Sequence, residues 1–223
     1  DISAYYEKLE TSSTASNYKK RQEGDYLENL LTYKLTLNKL DQNFQPSDGF
    51  RVGFEQVLPI YSDDLSISNT INASRYHSLT DNLIISGKFF FKSINSIDDD
   101  VRVSKRVYIP SSKLRGFEAG KIGPKDGNEY VGGNYALAMN FEAALPNLLP
   151  DATQTDVAAF LDIGNLWHVD YDSKMGQSSV IRSSVGLATN MYTPIGPLNF
   201  VFAQDLSSAE SDTTQSFNCL LYT

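Results

Sequence analysis

Apolar and polar residues alternate along this chain in runs longer than most soluble strands. In NYALAMNFEAALP (134–146), Leu137, Met139, Phe141 and Ala143 fall on one side of an extended backbone. Ala138, Asn140 and Glu142 fall on the other. LTYKLTLNK sets Leu31, Tyr33, Leu35 and Leu37 against Thr32, Lys34, Thr36 and Asn38, and ISGKFFF sets Ile85, Gly87 and Phe89 against Ser86 and Lys88. SSVGLATNMY and PLNFVFAQDL repeat the rhythm, with Val185, Leu187, Thr189, Met191, Leu198, Phe200 and Phe202 on the apolar side. A period of two is the signature of a strand with two different environments on its faces.

Ten such segments cover about 1–10, 28–39, 50–59, 64–79, 82–94, 133–145, 155–168, 179–193, 197–206 and 214–222. Most exceed the roughly five or six residues of an ordinary strand and match the roughly nine to eleven that a tilted membrane strand needs. The connections come in two styles. QPSDG, PIYSDD, SLTD, LPNLLPD and TPIGP read as tight turns of one rim, and 11–27, 95–132, 169–178 and 207–213 as long polar loops of the other. A soluble β-sandwich or a lipocalin-like barrel also alternates. Strand length, an outer set rich in Leu, Phe and Tyr, and an opposite set that is small or polar favour a transmembrane barrel around a wet lumen. Few apolar runs exceed five residues, so no helical span is expected; a hydrophobic share of only 41% does not exclude a barrel, whose strands meet lipid at every second position.

Few residues suggest chemistry. The net charge of −8 disfavours nucleic acid as a partner. Cys219 is the single cysteine, so there is no disulfide framework. His77 and His168 have no ligand-spaced neighbours, and GFEAGKIG lacks the strand-then-helix context of a phosphate loop. Asp98, Asp99 and Asp100 read as a solvated loop tip, Asn72-Ala73-Ser74 as a chance sequon within a strand, and Trp167 and Tyr192 as aromatic-girdle residues. No enzyme, cofactor or metal is expected.

Five blocks then carry a resemblance: NKLDQNFQPSDGFRV (38–52), KLRGFEAGKIGP (113–124), GGNYALAMNFEAALP (132–146), AAFLDIGNLW (158–167) and YTPIGPLNFVFAQDL (192–206). Taken in this order, the chain resembles the C-terminal part of the barrel in the bacterial surface antigen family of outer-membrane β-barrel assembly factors. The resemblance implies an all-β, antiparallel transmembrane β-barrel, of which 1–223 would be a single partial domain of about ten strands out of sixteen. It implies a bacterial outer-membrane location and the folding and insertion of other barrel proteins, without a catalytic site. The partners it implies are the lipid bilayer, unfolded outer-membrane protein clients and accessory assembly lipoproteins. Nothing in 1–223 resembles the POTRA domains that precede such barrels, so the chain reads as a fragment. A translocation barrel of two-partner secretion or of autotransporter assembly, or a plain outer-membrane channel, stays open as an alternative.

The resemblance also places the Arg-Gly-Phe of 95–132 in a loop folded into the lumen. Independently, the alternation turns Glu142 and Asp162 inward on consecutive strands, where one guanidinium fork can bind both. Arg115, Gly116, Phe117, Glu142 and Asp162 therefore form an expected loop latch, with Gly116 letting the backbone turn and Phe117 wedging against the wall. Phe217 and Tyr222 in QSFNCLLYT are the expected last-strand gate, although the glycine of the family's last strand is absent and the chain ends on Tyr222-Thr223.

Overall fold

The computed structural model describes residues 1–98, 100–146, 148–149, 155–171, 180–193 and 196–221. Ten strands pair in sequence order into one antiparallel sheet: β1 (Ile2–Leu9), β2 (Gly24–Leu40), β3 (Gly49–Ser62), β4 (Ser66–Thr80), β5 (Leu83–Ser96), then β8 (Tyr135–Leu145), β9 (Thr155–Trp167), β10 (Arg182–Thr193), β11 (Gly196–Ser207) and β12 (Phe217–Leu221). Between β5 and β8 a two-stranded hairpin, β6 (Lys125–Asp126) with β7 (Glu129–Tyr130), stands apart from the sheet. The sheet is open, with β1 and β12 at its edges. Each of the ten alternating segments of the sequence becomes one of these strands.

Two expectations need correction. The segment 11–27 is not all loop. It holds a one-turn helix α1 (Asn17–Arg21), capped by the Ser16 hydroxyl, and β2 already begins at Gly24. Strands paired antiparallel also change rim at every connection. The β3–β4 turn, residues 63–65, therefore lies at the same rim as the long loops, whereas the other four tight turns share the opposite rim. Treating all short connections as one set misplaced PIYSDD, because length alone does not say which rim a turn belongs to.

The two faces differ as the alternation requires. Leu35, Leu37, Ile85, Phe141, Val185, Leu187 and Phe202 are exposed on the outer face. On the inner face Ala136, Ala138, Asn140, Asp162, Ser184, Ala188 and Val201 are buried. That face is not a uniformly wet wall. Residues 97–134 fold back over β5, β8 and β9 and bury Val101, Val107, Ile109, Leu114, Phe117 and Ile122 against Phe90, Ala136, Ala138 and Leu166. The small inner residues make room for a packed loop, which is why they looked suited to water.

One strand contact tests the packing. An added Cβ at Gly186 would lie 2.1 Å from the Phe202 carbonyl oxygen and 2.7 Å from Phe160 Cζ. Gly186→Ala should force β10 and β11 apart and destabilise the sheet by about 1–3 kcal/mol, read as a lower thermal midpoint of heat-modifiable mobility in detergent.

Candidate functional site

The loop is held to the wall at Arg115. Its backbone N–H donates to Asp162 Oδ2 at 2.9 Å, its Nε–H to the same oxygen at 2.8 Å, and Nη2 to Oδ1 at 2.8 Å. Nη1 donates to Glu142 Oε2 at 3.0 Å. The guanidinium also lies over the Phe160 ring, 3.6 Å from its centroid. Register explains the convergence. Glu142 is directly opposite Phe160, and Asp162 is two residues further along β9, opposite Asn140 on one side and Ser184 on the other. Ser184 donates its hydroxyl hydrogen to the Arg115 carbonyl, and Asn140 Nδ2 donates to the Lys113 carbonyl at 2.8 Å. The segment around Arg115 is thus tied to β8, β9 and β10 at once.

The carboxylates are unequal. The Asp162 side chain is fully buried, while Arg115 keeps 13% and Glu142 17% of their side-chain surface. Burial opposes the charge on Arg115, but hydrogen bonds and charge from Asp162, then from Glu142, more than offset it and raise the affinity of the guanidinium for its proton. Gly116 follows at φ +87°, and a Cβ there would come within 3.0 Å of Ser184 and 3.1 Å of Ala203. Its carbonyl accepts from the Gln215 N–H at 2.9 Å, and buried Phe117 bridges to Thr214, so the tip also grips the β11–β12 connection.

Phe217 is outside this constellation. It sits on β12 opposite Phe202, with ring centroids 5.0 Å apart, on the exposed face. Tyr222 and Asp99 lie outside the described residues, and nothing is described of the Tyr192 side chain. Trp167 stacks on Tyr135 at 5.8 Å. His77 faces Asp48 at 3.8 Å, and His168 lies beside Tyr135, far from His77 on the sheet.

Three further anchors escaped the sequence reading. Arg102 pairs with Glu28 at 2.5 Å and Glu7 at 3.1 Å and stacks 4.0 Å over Tyr26, while Lys105 meets Glu28 at 2.6 Å. Arg106 binds Asp170, Asn134 (2.6 Å) and the hydroxyl of Tyr18 (2.8 Å) on α1. Arg182, on β10, grips Asp212 of the β11–β12 connection through two hydrogen bonds of 2.8 and 2.9 Å. The available signal was composition. Arg102, Lys105, Arg106, Lys113 and Arg115 fall within fourteen residues of a chain whose net charge is −8.

Two tests follow from this geometry. Asp162→Asn leaves the Arg115 charge buried with half its fork unmatched and should cost about 3–5 kcal/mol. Glu142→Gln, at the wetter end, should cost about 1 kcal/mol; loop protection from protease in detergent reads both. Asp170 responds to pH. Burial works to raise its carboxyl, but the Val101 N–H and the contacts from Arg106 and Asn134 outweigh it and hold the group below the ordinary aspartate range. Its contribution is therefore complete above about pH 4 and is lost as pH falls through the depressed folded value. Protease cleavage near Arg106 should rise below about pH 4 in the wild type and be high at all pH values in Asp170→Asn.

Comparison with known proteins agrees with this architecture. The Omp85 superfamily domain matches residues 1–221. The outer membrane protein assembly factor BamA of Neorickettsia risticii is 28% identical over 207 residues, covering 88% of this chain and 27% of that protein. BamA of Nitratidesulfovibrio vulgaris is 25% identical over 221 residues, 95% of this chain and 27% of the relative. The chain thus spans about a quarter of the length of these curated relatives. A crystal structure of Haemophilus ducreyi BamA lacking POTRA domains 1–3 superposes with a TM-score of 0.80 at 22% identity, over 89% of this chain and 42% of that one, and so shares the fold. With a family domain matched along nearly its whole length, the chain belongs to the Omp85 superfamily.

Proposed function

We propose that this chain is a partial barrel domain of an assembly factor that folds β-barrel proteins and inserts them into the bacterial outer membrane. The observation that carries the reading is the latched loop. A long segment is fastened by Arg115 to Asp162 and Glu142 on the inner face of a long-stranded sheet whose outer face is apolar. The names of the BamA relatives, and of a SAM50-like protein of Schizosaccharomyces pombe that is 29% identical over 107 residues (46% of this chain and 22% of that protein), point the same way.

In this reading Leu35, Leu187 and Phe202 face the lipid of the outer membrane. The edge at β12 offers unpaired backbone N–H and C=O groups to a client strand, with Phe217 and Tyr222 at the last strand. The latch of Arg115, Gly116, Phe117, Glu142 and Asp162 braces the wall beside that edge while a client is templated. Accessory lipoproteins would bind elsewhere on the complete protein. The work is done by backbone pairing and needs no catalytic side chain.

The test is reconstitution of the complete protein in lipid vesicles with a urea-denatured client barrel, scored by heat-modifiable client folding. Client folding should exceed that in empty vesicles and fall at least several-fold with Arg115→Ala. Folding no faster than in empty vesicles, together with passage of a polypeptide across the membrane, would replace this reading with that of a translocation barrel.

A further inference from the structure

The inner face carries a basic hollow that the latch does not use. One row of the sheet, read across β3, β4, β5 and β8, runs Arg51, Ser74, Lys88, Asn140. Lys113, two residues before Arg115, leans over this row from the loop. Arg51, Lys88 and Lys113 line a concavity of about 470 Å³ with Thr70, Asn72 and Ser74. The volume falls within the usual range for ligand sites.

Its charge is uncompensated. Among the described residues neither Arg51 nor Lys113 has a carboxylate partner, and the Lys113 ammonium lies over the Phe90 ring, 5.5 Å from its centroid. Lys88 reaches Glu142 only at 3.9 Å, and that carboxylate already accepts from Arg115. The carboxylate in the hollow, Glu55, is matched by Lys34 at 3.6 Å. Burial, and then the positive charge of Lys88, hold the Lys113 ammonium below the ordinary lysine range. Such a gathering of cations stands out in a chain of net charge −8.

We propose that this hollow binds an acidic segment of extended polypeptide, its carboxylates shared among Arg51, Lys88 and Lys113. The three cations come from three separate stretches of backbone: β3 and β5, two strand spacings or about 10 Å apart, and the loop above them. A ligand that carries several carboxylates can engage all three at once. Alternate carboxylates of an extended chain recur at about 7 Å and reach such points through long side chains. The hydroxyl and amide groups between the cations offer hydrogen bonds to the peptide. Lys88 and Lys113 also border the adjoining hollow, of about 310 Å³, that contains Arg115 and Glu142. A bound carboxylate would draw Lys88 from Glu142 and leave that group to Arg115, so occupancy and latch are coupled. The proposal rests on the assembly reading for its source of ligand, a client chain in the lumen.

The experiment uses the complete protein in detergent and a fluorescein-labelled peptide of alternating Asp and Thr, followed by anisotropy, with the Asn–Thr peptide and inorganic phosphate as controls. The acidic peptide should bind in a salt-sensitive way, the Asn–Thr peptide should not, and phosphate should not compete at equal concentration. Arg51→Gln with Lys88→Gln should weaken binding about tenfold, as expected for two half-exposed ion pairs, while heat-modifiable mobility stays that of the wild type. Should that double variant misfold, Lys113→Gln alone, in the loop, must weaken binding. Equal binding of both peptides, unchanged affinity in folded variants, or full competition by phosphate overturns the proposal. Client folding is scored separately on the same samples. Wild-type protein that folds clients but binds no acidic peptide defeats the hollow alone; protein that binds the peptide but folds no client defeats the assembly reading alone.

Discussion

A guanidinium placed between a sheet and a loop sets the terms for everything around it. Removing Arg115 from water is costly unless its donors are matched, and three of its N–H groups meet Asp162 while a fourth meets Glu142. The approach needed for those bonds dictates the size of nearby residues. Ala138, Ser184 and Ala203 are small where the loop lies against them, and Gly116 has no side chain where the chain turns between Ser184 and Ala203. Inner-face residues of ordinary size would hold the loop away from the wall and strand the charge.

The remaining anchors extend that constraint to both ends of the loop. Near its start, Arg102 and Lys105 gather Glu28 of β2 and Glu7 of β1. Asp64, in the β3–β4 turn, belongs to the same group because that turn shares the long-loop rim. Burial raises its carboxyl above the ordinary range, against the pull of Lys105 and Arg102 and with help from Glu28. Its protonation on acidification therefore favours the folded state, opposite in sign to Asp170. The cluster at Asp64 and the anchor at Asp170 thus respond to acid in opposing directions although the same loop joins them.

The strands were legible because a sheet between two unlike media writes its period into the sequence. Leu35 or Leu187 needs no tertiary information to be placed outward. The pair Glu142 and Asp162 was legible for the same reason, since inward parity on adjacent strands brings carboxylates together. Parity could not show that Asp162 is buried beneath the loop while Glu142 stays partly wet, because depth depends on what covers the wall. It also could not find Arg106 with Asp170 or Arg182 with Asp212. Their partners lie beyond strand ends, where alternation stops and pairing depends on loop paths. The helix at 17–21 escaped for a related reason: five residues carry no period of their own, and its place is fixed by Tyr18 reaching Val101 and Arg106.

The sequence separations of the anchors have a consequence for the order of folding. Tyr18 and Arg106 are 88 residues apart, Arg102 and Glu28 are 74, and Arg115 and Asp162 are 47. The bonds to Glu28 and Asp162 need the strands that carry these carboxylates to be in place, because each faces the loop from the wall of the sheet. Hairpins with short turns close first, as their loop entropy is small. A docked loop therefore reports that the strands carrying Glu7, Glu28, Glu142 and Asp162 are in place.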